Sequence, residues 1–241
     1  MLTIYMSTEY LSRAISGTDL LNGTAVNCTS NHGASQLCHE LVNLVRNPEL
    51  QTENFHRSDY GFLGRGMFGT VFERKVGRNR YAIKIVENLY RIRKFKQEVE
   101  LQKRAAREAL APYVYDHFVC QCTDKTYGII VMDLLKDYVY HGRVQQTLNE
   151  MRISGMNGLA NQLANALNNR LMQILQMLSE LHIQIVDFQI MYHPELMLAL
   201  DSNGVPAESI QVIDFGFTED VGTRPYGRDY IDDQLQMYRL T

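Results

Sequence analysis

Three glycines and one lysine are the residues of this chain best suited to binding phosphate. Gly64, Gly66 and Gly69 form a glycine-rich turn, and strand-forming residues follow it. Glycine lets the backbone approach phosphate oxygens and direct its N–H groups at them. Lys84 lies in the next apolar segment, where a lysine is costly unless it meets an anion. A triphosphate bound under the turn would supply that anion.

The spacing of these residues is typical of one class of nucleotide site. Residues 64–71 read G-x-G-x-x-G-x-V, and residues 82–84 read A-I-K. A dinucleotide site of the Rossmann type needs a helix after the glycines, whereas strand formers follow them here. A glycine loop between two strands, with a lysine on the third, is the protein-kinase arrangement. Residues 58–240 therefore resemble the protein kinase superfamily.

This resemblance implies an ATP site built from the glycine loop, the lysine strand and a hinge. The segments 113–120 and 127–132 are predicted strands, and the second resembles the kinase strand that enters the hinge. Met132 then takes the gatekeeper position, and the backbone of residues 133–135 contacts the adenine edge. The nucleotide-binding residues implied are Leu63, Gly64, Gly66, Gly69, Val71, Ala82, Lys84, Met132, Asp133 and Leu135.

A glutamate partner for the lysine is expected on the helix predicted over residues 89–110. The piece from Phe95 to Leu101 resembles the kinase C-helix, in which a glutamate precedes valine. Glu98 then pairs with Lys84 and directs the amine toward the phosphates. Glu100 is the alternative partner.

A metal ligand is implied by the strand that ends in Asp214-Phe215-Gly216. In kinases this aspartate holds the Mg²⁺ that bridges the phosphates, and Mn²⁺ is an alternative ion. The motif follows a long helix, predicted over residues 157–182 from leucines at steps of three and four. A further helix is predicted over residues 228–240.

The catalytic base has two candidates, because the usual His-Arg-Asp-x-x-x-x-Asn motif is missing. In the first register Asp187 is the base, Gln189 takes the position often held by lysine, and Tyr192 replaces the metal-binding asparagine. In the second, His193-Pro194-Glu195 imitates the motif, with Glu195 as the base. We prefer Asp187, because a carboxylate that follows an apolar pair is well placed to reach a substrate hydroxyl. In either register the second metal ligand is lost.

Two features of the C-terminal half follow from the same resemblance. The runs 196–200 and 210–213 are predicted to form the hairpin that joins the catalytic loop to Asp214, with a turn at residues 201–204. After Gly216 too little chain remains for a full activation segment, which indicates a truncated second lobe. Very small kinases of this kind occur among secreted bacterial effectors and some viruses.

The composition of the chain argues against two classes of partner, nucleic acid and membrane. The chain has 241 residues, an apolar content of 45% and a net charge of −3, so neither a basic field for nucleic acid nor a membrane span is expected.

Four cysteines do not predict a disulfide scaffold, and Cys120-Gln121-Cys122 is interpreted as two residues on a strand near a turn, within a reducing compartment. Residues 1–35 are polar and predict either an unstructured terminus or a leader of the effector type.

The predicted fold is α+β and bilobal, with an antiparallel five-stranded N-lobe and a reduced helical C-lobe. The expected domains are 1–55 (leader and helix), 56–135 (N-lobe) and 136–241 (C-lobe). The function implied is transfer of the ATP γ-phosphoryl group to a Ser, Thr or Tyr hydroxyl of a protein, in the cytoplasm or, for an effector, in the cytoplasm of a host. The alternatives are a pseudokinase that binds nucleotide and regulates a partner, and a kinase of small molecules.

Overall fold

The computed structural model describes most of the chain and assigns it to the α+β class. The described residues are 25–28, 33–52, 56–57, 59–66, 69–87, 92–123, 125–185, 188–195, 199, 204–220 and 228–241. The helices are α1 (Gly33–Arg46), α2 (Ile92–Arg107), α3 (His141–Ile153), α4 (Asn157–Glu180) and α5 (Arg228–Met237). The strands are β1 (Ala25–Asn27), β2 (His56–Arg57), β3 (Tyr60–Gly66), β4 (Gly69–Val76), β5 (Asn79–Val86), β6 (Val114–Gln121), β7 (Thr126–Asp133), β8 (Val139–Tyr140), β9 (Ile183–Ile185), β10 (Gln189–Tyr192), β11 (Ile210–Ile213) and β12 (Thr218–Asp220).

The chain divides into two compact units. The first comprises residues 1–99 and 113–134, and the second comprises residues 100–112 and 135–241. The division falls inside α2, whose residues up to Val99 belong to the first unit. Each unit has its own apolar core.

The first unit is built on one mixed sheet with the strand order β1-β6-β7-β5-β4-β3-β2. Within the set β3 to β7, all paired strands are antiparallel to each other, as predicted, and the β4–β5 turn is at Gly77, as its glycine indicates. The expectation of five strands is wrong, because the short strand β2 and the parallel strand β1 extend the sheet at its two edges. Strand β1 lies within the segment predicted to be an unstructured terminus.

The two faces of this sheet carry different helices, because successive side chains of a strand point to opposite faces. Tyr81, Ile83 and Ile85 of β5 join the core that also contains the buried side of α1. Ile130, from the opposite face of β7, packs with Phe95 of α2. Helices α1 and α2 thus cover opposite faces of the sheet.

All four cysteines are paired, which corrects the expectation from their number and spacing. Cys28 bonds to Cys122, and Cys38 bonds to Cys120. Cys120 ends up on strand β6 and Cys122 just beyond it, as predicted for the C-x-C piece. The two bonds tie β1 and α1 to the same edge of the sheet.

The second unit is organised around α4, whose stripe of buried residues faces the core. This stripe comprises Ala160, Leu163, Ala164, Leu167, Leu171, Ile174, Leu175 and Leu178. The side chain of Asn168 bonds the backbone of Leu240 twice, at 2.9 and 3.0 Å, and so fastens the end of the chain to α4. None of the helices in the described ranges is long and apolar enough to cross a membrane.

A three-stranded sheet in the order β11-β10-β8 and a β9–β12 pair complete the second unit. Strand β11 pairs with Gln189–Tyr192, a partner that the sequence did not predict. Residues 196–198 and 200–203, which include Leu200 and most of the predicted turn, lie outside the described residues.

Candidate functional site

The glycine turn is a hairpin in which Gly66 lies opposite Gly69. The two residues between them, Met67 and Phe68, lie outside the described residues. Gly69 has φ +146°, and a Cβ added there would lie 2.5 Å from the backbone oxygen of Ile85. Only glycine fits this position, because a side chain would meet the backbone of the neighbouring strand.

Gly64 and Gly66 have a different environment. A Cβ added at either position would meet nothing within 4 Å. Packing within the protein therefore does not require glycine there, whereas close approach of a ligand to the backbone would. The strand bulges between Phe62 and Gly64, and the intervening Leu63 is 45% exposed.

Lys84 and Glu98 form a buried ion pair. Lys84 Nζ donates to Glu98 Oε1 at 2.8 Å, and each residue is 6% exposed. The pair predicted from the sequence is therefore present. Glu100, the alternative partner, is exposed and lies 4.0 Å from Lys103.

The register of the sheet brings several of the predicted nucleotide residues to the face that carries this ion pair. Val71 lies opposite Lys84, and Ala82 lies opposite Met132. Residues directly opposite each other in an antiparallel pair share a face. Val71, Lys84, Ala82 and Met132 therefore point to the α2 side of the sheet.

Asp133 is held in place at the end of β7. Its carboxylate accepts hydrogen bonds from the Tyr115 hydroxyl and, at 3.1 Å, from the backbone N–H of Tyr113. Its own N–H donates to the Tyr113 carbonyl at 2.9 Å. Burial has the largest effect in raising the pKa of the Tyr115 hydroxyl, and the Asp133 carboxylate raises it further. The hydroxyl therefore remains a donor. Leu135 is the first residue of the longer segment of the second unit (residues 135–241) and is partly exposed.

In the second unit, Asp214 adopts an uncommon backbone conformation directly after β11. Its φ is +61°, and its Oδ1 accepts a hydrogen bond from the Gly216 N–H at 3.3 Å. Left-handed backbone is infrequent in residues other than glycine and is often found at functional sites. The side chain is partly exposed and carries a carboxylate suited to a hard cation.

Gln189 is a candidate that the sequence reasoning missed as a ligand. It begins β10 and lies opposite Ile213, the residue before Asp214. Its amide oxygen is the kind of ligand that Mg²⁺ can coordinate in proteins. The available signal was Ile190 and Tyr192, a β-branched and an aromatic residue at a spacing of two, which favours a strand after Asp187.

Asp187, the preferred base, lies outside the described residues, but the residues around it are described. The Tyr230 hydroxyl donates to the Ile185 carbonyl at 2.5 Å, and the Tyr238 hydroxyl donates to the Phe188 carbonyl. Burial raises the pKa of Tyr230 to about 12. Helix α5 and the residue just after it therefore fix both sides of the segment that contains Asp187.

Glu195, the alternative base, is exposed and follows β10. Strand β10, which pairs with β11, thus precedes Glu195 in the chain. Tyr192, the expected replacement for asparagine, is 1% exposed and its hydroxyl lies 3.0 Å from His141 Nδ1. Burial raises the pKa of Tyr192 and lowers that of His141. His193 stacks edge-on against Tyr138, with ring centroids 4.9 Å apart.

Within the described part of the chain, no group of three or more His, Cys, Asp or Glu residues is arranged to hold a metal. Asp214 still fits Mg²⁺, which is commonly bound by one or two carboxylates together with substrate phosphates. The amide of Gln189 supplies an oxygen of a type that also suits this ion. Comparison with models of protein families and with curated proteins finds no match to this chain.

Proposed function

We propose that this chain has a bilobal protein-kinase-like fold, binds ATP with Mg²⁺ or Mn²⁺ and transfers the γ-phosphoryl group to a hydroxyl of a protein. The observation that carries the proposal is the buried Lys84–Glu98 pair on the sheet face shared with Val71, Ala82 and Met132. A buried ion pair is weak evidence for stability. A lysine held by its glutamate beside a glycine turn is an arrangement suited to polyphosphate.

Each residue has a role in this proposal. Lys84 contacts the α- and β-phosphates, and Glu98 orients its amine. Gly64 and Gly66 let the backbone approach the phosphates, while the backbone of residues 133–135 contacts the adenine edge. When bound, the metal ion neutralises phosphate charge, and Asp214 with Gln189 would hold it.

Asp187 remains the proposed base. Its support comes from the flanking residues, since α5 and the residue after it hold the carbonyls of Ile185 and Phe188. Positioning supplies much of the catalysis in phosphoryl transfer, so a short, well-fixed segment suits this role. By analogy with very small effector kinases, the substrate is a protein of a host cell.

One observation favours a second function, that of a nucleotide-binding module that regulates a partner. Only residues 186–188 separate β9 from β10. The usual motif places four residues between the catalytic aspartate and the metal-binding asparagine, so this connection is shorter than that motif needs. The ion pair of the first unit is compatible with both functions.

A transfer assay separates the two. The full chain is incubated with γ-labelled ATP, Mg²⁺ or Mn²⁺ and a host-cell lysate, beside Asp214→Ala, Asp187→Ala and Glu195→Ala. We expect label transfer by the wild type and by Glu195→Ala, and loss of transfer in the two aspartate variants. Absence of transfer by the wild type, with ATP still raising its melting temperature, would favour the regulatory module.

A further inference from the structure

A cavity of about 550 Å³ opens beside α1, and one of the two disulfides forms part of its wall. Cys28 and Cys122 line the cavity together with His39, Glu40 and Arg46. The volume is in the range of sites for small ligands. The disulfide therefore faces a space that a small molecule can enter.

The second disulfide has the opposite environment. Cys38 and Cys120 are each 0% exposed and belong to the apolar core between α1 and the sheet. Cys122 is partly exposed, whereas Cys28 is 2% exposed. Of the four cysteines, Cys122 is thus the most exposed residue, and we take its sulfur as the atom that a nucleophile reaches.

We propose that the Cys28–Cys122 bond is a site of thiol–disulfide exchange with a low-molecular-weight thiol that enters this cavity. The thiolate of the small molecule attacks Sγ of Cys122, the bond to Cys28 breaks, and Cys28 leaves as a thiolate that takes up a proton. Cys122 then carries a mixed disulfide. A second thiol attacks this adduct, so two small thiols are oxidised to their disulfide and Cys28 and Cys122 become thiols.

The charged groups of the cavity act on the leaving thiolate. Arg46 and His39 are the basic groups, and positive charge lowers the pKa of a nearby thiol. Arg46 is fixed, because its Nε donates to the Tyr127 hydroxyl at 3.1 Å and its guanidinium carbon lies 5.7 Å from the Tyr127 ring centroid. Glu40 opposes this effect, so the arginine is the group whose removal matters most.

The fold around the bond does not depend on it alone. Strand β1 pairs with β6, and the Cys28 N–H donates to the Gln121 carbonyl at 3.0 Å. The Ser35 hydroxyl donates to the Asn27 carbonyl at 2.7 Å. These bonds and the Cys38–Cys120 bridge remain after exchange, so exchange at Cys122 is a reversible modification of folded protein.

The test uses the oxidised wild-type chain and reduced glutathione as the probe. Samples are quenched at intervals by alkylation, and peptides are identified by mass spectrometry. We expect a glutathione adduct on Cys122 and alkylation of Cys28 at least about tenfold faster than any reaction at Cys38 or Cys120, since access and thiolate stabilisation both control exchange. Equal rates at the two bonds, or an adduct first on Cys38 or Cys120, would overturn the proposal.

Two variants of Arg46 test the role of the cavity charge. Arg46→Gln is expected to slow adduct formation several-fold, and Arg46→Lys is expected to retain most of the rate, because it keeps the positive charge. Thermal melting is recorded for both variants to confirm that they are folded. An unchanged exchange rate in a folded Arg46→Gln protein would remove the arginine from the mechanism. Because the assay contains no nucleotide, its outcome is independent of the proposed kinase activity.

Discussion

The two faces of the sheet in the first unit are built from alternate residues of the same strands, yet they differ in chemistry. On β5, Ile83 and Ile85 point to α1 and join an apolar core, while Lys84 between them points to the α2 side and meets Glu98. The α1 face is also crossed by the buried Cys38–Cys120 bridge. The α1 face therefore carries the larger apolar core and a disulfide, whereas the α2 face carries a buried charged pair beside a smaller apolar cluster.

This difference between the faces allows the effect of a substitution on stability to be distinguished from its effect on activity. A buried ion pair can often be replaced by apolar residues of similar volume without loss of stability, whereas removal of one partner is strongly destabilising. If the α2 face exists for function, stability and activity will respond differently to changes at Lys84 and Glu98. For substitutions on the α1 face, activity should fall only to the extent that stability falls.

The largest expected effect is that of Lys84→Met. It leaves Glu98 buried without its partner, so the free energy of unfolding should fall by about 3–5 kcal/mol. Label transfer should fall by at least about 100-fold, as for the loss of one transition-state donor. Urea unfolding and the transfer assay measure the two effects.

The double variant Lys84→Met/Glu98→Gln is the matched control. It removes the unpaired charge, so we expect much of the stability to return while transfer remains absent. Recovery of transfer in the double variant would mean that the α2 face, like the α1 face, contributes only to stability.

On the α1 face, Cys38→Ala/Cys120→Ala should lower the free energy of unfolding by about 2–4 kcal/mol, because the bond removes loop entropy from the unfolded chain even with the enclosing Cys28–Cys122 bond intact. The half-cysteines are 82 residues apart. At temperatures where the variant is folded, its affinity for ATP should equal that of the wild type. Urea unfolding and calorimetric titration with ATP test this, and a large loss of ATP affinity in folded protein would contradict the separation of the faces.

The sequence predicts the α2 face better than the α1 face. The glycine turn, Lys84 and Glu98 belong to a local pattern with fixed spacing, and the structure pairs the last two as expected. The disulfides of the α1 face join residues far apart in the chain, and pairing over such distances is not encoded in local spacing. Strand β1 was missed for the same reason, since its partner β6 is remote in sequence.

The hairpin before Asp214 shows a second limit of prediction. Residues 196–198 and 200 of the predicted strand lie outside the described residues, and short apolar runs do not distinguish strand from helix by periodicity. The strand that pairs with β11 is the alternating segment Gln189–Tyr192. The sequence therefore identified Asp214 as a candidate ligand but missed Gln189, whose proximity depends on the strand register.

A smaller effect is expected where α2 approaches the sheet. A Cβ added at Gly128 of β7 would lie 2.5 Å from the ring of Phe95. Gly128→Ala should therefore displace α2 or its phenylalanine and cost about 1–3 kcal/mol of unfolding free energy. Gly142→Ala is the control, because nothing lies within 4 Å of an added Cβ there. Equal melting temperatures for the two variants would show that the helix adapts without cost.

The smallest expected effect concerns the end of β7, where the hydroxyl of Tyr115 holds the Asp133 carboxylate. Tyr115→Phe removes this hydroxyl and keeps the ring that packs edge-on against Tyr81 and Tyr113. The bond is partly exposed, so its loss should cost about 1 kcal/mol of unfolding free energy. If the backbone of Asp133 contacts adenine, the variant should bind ATP more weakly, while its affinity for inorganic triphosphate stays unchanged. Calorimetric titration with both ligands measures this, and equal weakening of both would contradict a role of Tyr115 through the adenine contact, because that contact alone would not affect triphosphate.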